Sequence, residues 1–264
     1  MPVTPSPVSR SAIVTRLRSA GCVFAEDEAE LLISAATTPA ELTAMVDRRA
    51  SGLPLEHVVG WADFCGLRIA VDPGVFVPRR RTEFLVRQAI ELAPPRPVIV
   101  DLCCGSGAVG AALAAALHPA EVYAADIDSA AVRCARRNLA AAGGHVYSGD
   151  LFEPLPAELR GRVDILTANV PYVPTEEVGL LPAEARLHEP RVALDGGGDG
   201  LDVLRRVAAE ASLWLAPGGS LLVETSERQE TQGCDTARRG GLVPRVARSA
   251  ELAVTVLIAT RPAP

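Results

Sequence analysis

The stretch Val98-Ile99-Val100-Asp101-Leu102, followed at once by Cys103-Cys104-Gly105-Ser106-Gly107, limits what this chain can become more than any other. Aliphatic, mostly β-branched residues around a single acid read as a strand buried on both faces, the habit of a parallel sheet. The glycines behind it let the backbone turn sharply and approach a ligand. The Ala- and Leu-rich run to about Leu117 then reads as a helix whose first turn offers free N–H donors. Strand, glycine turn and helix together are the layout of a nucleotide-cofactor site. Two features separate it from a dinucleotide site. Cys103 stands where the first glycine of G-x-G-x-x-G is expected, and Asp101 brings a negative charge to a turn that a pyrophosphate needs free of one.

The next segments repeat the pattern. Glu121-Val122-Tyr123-Ala124-Ala125 reads as a second strand ending at Asp126-Ile127-Asp128, with a helix over Ser129–Ala142. An acid about 20 residues past the glycine turn is placed to accept ribose hydroxyls. The plainer role of helix N-cap fits Asp128 better than Asp126. His145-Val146-Tyr147-Ser148 gives a third strand, leading to Gly149-Asp150-Leu151-Phe152, where a strand-end acid near an adenine is expected. Val163-Asp164-Ile165-Leu166-Thr167-Ala168 gives a fourth and runs into Asn169-Val170-Pro171-Tyr172. Asp101, Asp126, Asp150 and Asn169 thus fall at successive strand ends, in the crevice where open α/β sheets bind ligands. A ligand without phosphate, an adenosyl amino acid carrying a positive sulfonium and ammonium, turns the Asp101 carboxylate into an asset. The expected protein is an α/β methyltransferase using S-adenosylmethionine.

Asn169-Val170-Pro171-Tyr172 sets two carbonyl oxygens and a flat ring where a buried strand meets a cleft. That suits a planar NH2 group, whose delocalised lone pair attacks only when both hydrogens are held and the nitrogen is aimed. Taken alone, the tetrapeptide is equally an ordinary strand exit built from two common breakers.

The flanks add a second part. Residues 1–9 are Pro- and Ser-rich and expected to be disordered. Ile13, Val14 and Leu17 recur at helical spacing, a second helix is expected over Asp27–Ala36, and Thr38-Pro39-Ala40-Glu41 has the form of a helix start. The division is a helical substrate or partner domain over 1–52, a β-hairpin linker over 53–78 and a catalytic domain over 79–264. Through residue 75 six Arg face nine acids, so the helical part is no nucleic-acid-binding arm. Leu67, Ile69 and Val71 with the Gly66 turn give the hairpin, and His57 reads as a packed structural residue. Arg79-Arg80-Arg81 is a solvated charge run or a latch at the cleft mouth. The long stretch from Tyr172 to Gly200 is expected to wall the substrate side. Helix Leu201–Leu215, strand Ser220–Thr225 and an antiparallel pair, Leu242–Val246 with Leu252–Thr260, complete the sheet.

With 264 residues and 48% hydrophobic content, a sizeable core is available. No apolar run approaches the roughly 20 residues of a membrane span, and Met1-Pro2-Val3-Thr4-Pro5 lacks the order of a signal peptide, so the expected location is the cytoplasm. The six cysteines, none in a C-x-x-C pair, point to reduced thiols and no metal site. A net charge of −6 argues against a duplex nucleic-acid partner.

The chain resembles the HemK/PrmC-type protein-(glutamine-N5) methyltransferases over nearly its whole length. The resemblance is carried by Pro54-Leu55 through Phe64-Cys65-Gly66-Leu67, by Val77-Pro78-Arg79-Arg80-Arg81-Thr82-Glu83, by the strand-end motifs and by Glu189-Pro190-Arg191 through Gly200-Leu201. It implies a seven-stranded, Rossmann-like class I methyltransferase sheet behind a small N-terminal helical domain and linking hairpin. It implies as substrate the glutamine of the Gly-Gly-Gln motif in peptide-chain release factors, and a monomer. By position, Asp101 and Cys103, Cys104, Gly105, Ser106 and Gly107 would cradle the methionine part of S-adenosylmethionine. Asp126 with Ile127 would hold the ribose, and Asp150 and Leu151 would flank the adenine. Asn169, also in contact with cofactor, and the Val170 carbonyl would accept the amide hydrogens, with Pro171 holding the turn and Tyr172 packing on the amide plane. Three positions depart from the family pattern: Val170 for Pro, bringing a β-branched side chain toward the pocket; Cys103 for the first glycine; and Arg80-Arg81 for Pro and an acid. The nearest alternative is an N6-adenine nucleic-acid methyltransferase, which offers the same NH2 to the same Asn-Val-Pro-Tyr. A non-catalytic, cofactor-binding module is a third reading.

Overall fold

The computed structural model describes residues 9–263, so the expectation for the N-terminal Pro- and Ser-rich segment lies outside the described residues except at Ser9. Three helices come first: α1 (Arg10–Ser19), α2 (Ala25–Ala35) and α3 (Pro39–Ala50). Each start has a local cause. Ser9 accepts the Ala12 N–H, three acids in the first turn of α2 complement its dipole, and Thr38 accepts the Glu41 N–H with Pro39 in the first turn. The acids explain why α2 begins at Ala25, two residues before the sequence expectation. Ile13, Leu17, Ala25, Ala29, Leu32, Met45 and Val46 form one apolar cluster, which also takes in Val58 of the short helix α4 (Leu55–Val59).

Gly60 ends α4 in the left-handed region and opens a hairpin of β1 (Trp61–Phe64) and β2 (Leu67–Ala70). Its two turn residues, Cys65 and Gly66, both have positive φ, as a two-residue hairpin turn requires. His57 is buried, with Nε2 2.8 Å from the Val75 carbonyl, and so is structural. The inward residues Phe64, Ile69 and Val71 belong to the core of the larger part, which ties the hairpin to the sheet.

That sheet has seven strands: β3 (Val98–Leu102), β4 (Glu121–Asp126), β5 (His145–Ser148), β6 (Val163–Ala168), β7 (Leu215–Thr225), β8 (Val243–Ser249) and β9 (Val254–Thr260). The order is β5-β4-β3-β6-β7-β9-β8, with the first five parallel and β9 antiparallel to both its neighbours. Every residue of β3 is buried, as expected of a central parallel strand. Helices α5 (Glu83–Leu92), α6 (Ala108–Ala116) and α7 (Ser129–Leu139) pack in one core with Ile99 and Ile165, while α9 (Asp202–Trp214) and α10 (Glu230–Arg239) pack in another with Val98, Val100 and Leu166. Alternate residues of one strand thus serve opposite layers.

Several boundaries differ from expectation. The helix from Ser129 yields after Leu139 to a single tight turn over Ala140–Ala142. β7 starts at Leu215 and shifts register before Ser220. β8 runs on to Ser249, and β9 begins at Val254. The stretch after Tyr172 is more ordered than its composition suggests. It holds a tight helical run over Thr175–Leu180 and a short helix α8 (Ala183–His188).

Candidate active site

The strand order reverses at β3, which is flanked by β4 on one side and β6 on the other. A crevice opens at such a switch point, and the predicted residues gather there. Asp101, Cys103, Cys104, Gly105, Ser106, Asp126, Ile127 and all of Asn169-Val170-Pro171-Tyr172 line one cavity of about 340 Å³. Three predicted positions lie outside its wall. Gly107 sits beneath the loop, in the left-handed region, where a Cβ would meet Ala135 at 3.0 Å. Asp150 is engaged by Arg206 at 2.6 Å, and Leu151 is buried with φ +49°.

The acids are tied down before any ligand arrives. Asp101 is fully buried, accepts from the Thr167 hydroxyl at 2.8 Å and from the Gly110 N–H at 3.1 Å, and burial pushes its pKa up to about 7. Asp126 accepts from the N–H groups of Gly105 at 2.8 Å and Asp128 at 2.9 Å, and burial raises its pKa too. The bond from Gly105 folds the glycine turn over the strand end. Cys103 has φ +51°, a region that costs a non-glycine residue roughly 1–2 kcal/mol. The cofactor turn therefore keeps the shape a glycine would take. Burial, with Asp126 and Asp101 nearby, pushes both the Cys103 and Cys104 thiols well up, so neither is a ready nucleophile. Among the described residues no His, Cys, Asp or Glu group of three is arranged to hold a metal.

Asn169 differs from these acids. Its half-buried side-chain amide takes part in no hydrogen bond among the described residues, and no backbone hydrogen bond ends on the Val170 carbonyl. Two acceptors in the cavity wall are thus unengaged. The Val170 side chain was expected to approach the pocket; it is 2% exposed and packs in the sheet core.

A glycine shelf supports this segment from behind. A Cβ on Gly196 would come 2.6 Å from the Pro171 carbonyl oxygen, and one on Gly200 would come 2.2 Å from that of Tyr172. Gly196 donates to Val173 at 2.8 Å, and the buried Gln229 amide donates to the Tyr172 carbonyl at 2.9 Å. The Glu189–Gly200 motif therefore fixes the backbone of the tetrapeptide, and its neighbours Pro190, Val192 and Leu194 line the cavity.

Two of the three consecutive arginines are each paired with a buried carboxylate. Arg79 pairs at 2.5 Å with Glu189, whose side chain is 1% exposed and also accepts the Val77 N–H. Arg81 donates to Glu224 at 2.8 Å and to the Tyr172 hydroxyl at 2.7 Å. Glu224, at the end of β7, also accepts from Thr82 at 2.6 Å and from Tyr172 at 3.0 Å. Burial and then Glu224 push the Tyr172 phenol up to about 12. Glu224 and Gln229 escape a reading of the sequence; the one signal was an acid inside the apolar strand Leu221-Leu222-Val223-Glu224-Thr225. Buried Arg49 of α3 joins Glu28 at 2.6 Å and Glu184 of α8 at 2.5 Å, which links the N-terminal helices to the cavity wall.

A parallel sheet in this order with one antiparallel strand near its edge, and a cavity at its switch point, define a class I S-adenosylmethionine-dependent methyltransferase. The family model Methyltransferase small domain matches residues 66–208, more than half of the chain. A release factor glutamine methyltransferase of Streptomyces coelicolor is 40% identical over 71% of this chain and 68% of its own. A 4-amino-L-phenylalanine/4-methylamino-L-phenylalanine methyltransferase of Streptomyces pristinaespiralis is 36% identical over 81% and 75%. A methyltransferase structure from Pyrococcus furiosus shares the fold, with a TM-score of 0.57 at 17% identity over 75% of this chain and 90% of that one. The chain belongs to the release factor glutamine methyltransferase family, and its match spans about two thirds of the length of such curated relatives. Its cofactor is S-adenosylmethionine.

Proposed function

We propose that the protein methylates the side-chain amide nitrogen of a glutamine in a peptide-chain release factor. The observation that carries this reading is the pair of unengaged acceptors, the Asn169 amide oxygen and the Val170 carbonyl, in a cavity whose other strand-end oxygens are already bonded. A primary amide offers two hydrogens in one plane, one for each acceptor. Holding both orients the nitrogen without deprotonating it, so no strong base is required. The Tyr172 ring then covers the amide plane.

S-adenosylmethionine, when bound, supplies the methyl group. The residues present suit it. Gly105 and Gly107, with Cys103 held in the same left-handed region, bend the loop close to a ligand, and Asp126 stands at the end of the second strand for the ribose hydroxyls. Asp126, joined by Asp101 as it ionises, gives the cavity floor a negative bias that favours a cationic group and repels phosphate. Cys104, Ser106 and Ile127 complete the wall, while Asp150 and Leu151 act from behind it near the adenine. In this reading the helices over 10–50 form the partner-facing domain. An open groove that shares Tyr172, Val173 and Leu181 with the cavity leaves room for the chain on either side of the glutamine. A cytoplasmic monomer belongs to the same proposal, and the six free cysteines suit a reducing compartment.

The relative that acts on an aromatic amine sets the second reading, because a free amine needs the same acceptors but no groove. Labelled S-adenosylmethionine offered with release factors and with 4-amino-L-phenylalanine separates the two. Asn169→Ala is expected to lower methyl transfer by about 10²-fold or more. Retained turnover in that variant would remove Asn169 from the mechanism.

A further inference from the structure

We propose that Arg81 and Glu224 are positioning residues that clamp Tyr172, so that its hydroxyl belongs to the clamp and only its ring face meets the substrate. The proposal rests on Asn169–Tyr172 being the acceptor site. Nothing in the reaction assigns a role to Glu224, yet its carboxylate is 3% exposed at the end of β7. A buried carboxylate persists only with partners. It has three, each from a different donor: Arg81 Nε at 2.8 Å, the Thr82 hydroxyl at 2.6 Å and the Tyr172 hydroxyl at 3.0 Å. Arg81 closes the ring by donating to the Tyr172 oxygen at 2.7 Å. The phenol thus gives its one hydrogen to Glu224 and receives one from Arg81. It has no proton left for the substrate, and its raised pKa makes it a poor base as well.

Two simpler roles for this cluster fail on the geometry. As a surface ion pair, Arg81 with Glu224 would be worth little, but here one partner is almost wholly buried and shared with a side chain of the cavity wall. As an anion receptor at the cavity mouth, Arg81 is already matched by Glu224, just as Arg79 is by Glu189. What the pair does achieve is mechanical. Tyr172 is held at its backbone by Gln229 and at its far tip by Arg81 and Glu224, so the tip of the ring cannot swing out of the cavity wall. Misplacement of a reacting group by about 1 Å costs on the order of 10²-fold.

Three substitutions in the full chain, Arg81→Met, Glu224→Gln and Tyr172→Phe, singly and in pairs, test it. The readouts are kcat and KM with a release factor, S-adenosylmethionine affinity, and the NMR signals of the Tyr172 ring in a chain with three tyrosines. Each single change is expected to lower kcat about 10- to 100-fold with KM and cofactor affinity within about twofold. Any pair should lose little more than its worse member, because all three break one unit. The Tyr172 Cζ signal, which senses hydrogen bonding at the hydroxyl, should move in Arg81→Met and in Glu224→Gln. Multiplying losses, a loss confined to KM, or an unmoved Cζ signal in Arg81→Met would overturn the clamp. If Glu224→Gln does not fold, the other two variants still decide. If the parent methylates no release factor, the proposed substrate fails, while the ring signals continue to test the clamp.

Discussion

Asp101 shows how much one buried residue can hold. Its carboxyl is sequestered beneath the cofactor turn, and burial raises its pKa from the ordinary carboxylate range to about 7. The sign of the consequence follows from linkage. Between about pH 4 and pH 7 the unfolded chain has released this proton and the folded chain has kept it, so Asp101 makes stability fall as pH rises through that window and adds no slope above it. Urea unfolding of the parent and of Asp101→Asn from pH 4 to 8 checks this: the parent should lose stability toward pH 7 relative to the variant, and parallel curves would contradict it. The position of this residue was legible because a strand-end acid is fixed by local pattern. Glu224 was not. Its partners Thr82 and Tyr172 lie 142 and 52 positions away, and no local pattern encodes such contacts. Arg81 was half legible, since three adjacent cations read equally as a solvated run or as a latch at the cleft mouth.

Elements were read best where burial sets a simple rhythm. β5 was anticipated to the residue, and the ends of β3, β4 and β6 followed from apolar runs closed by polar residues. The segment from Tyr172 to Gly200 was read as irregular because Pro and Gly there break every periodicity. In the fold those same residues have a close-packing task. Gly200, with φ +77°, lies against the Tyr172 carbonyl and the Gln229 amide. Gly200→Ala is therefore expected to displace the acceptor segment, lower stability by about 1–3 kcal/mol and reduce transfer at temperatures well below its melting point. Calorimetry paired with turnover measures both. An unchanged rate would show that the shelf does not set the acceptor geometry.

Across the whole molecule, the N-terminal helices are joined to the catalytic part through a charged contact as well as through the hairpin. Arg49 is 8% exposed at its side chain and bridges Glu28 in its own cluster to Glu184 on the cavity wall. Removing it strands a buried carboxylate, and Arg49→Ala should cost about 3–5 kcal/mol in denaturant unfolding; a cost below about 1 kcal/mol would mean the contact behaves as a surface pair. The composition allowed a helical part and an α/β part, but the ion pair between α3 and α8 had no local signature, since Arg49 and Glu184 are 135 positions apart.

The central claim is that Asn169 and Val170 hold a glutamine amide at the methyl donor. The most direct measurement is mass spectrometry of a release factor after incubation with the protein and labelled S-adenosylmethionine. One added methyl on the side-chain nitrogen of a single glutamine, lost with Asn169→Ala, is the predicted result. Methyl found instead on an adenine, on a free aromatic amine, or on any release-factor residue other than glutamine would contradict it.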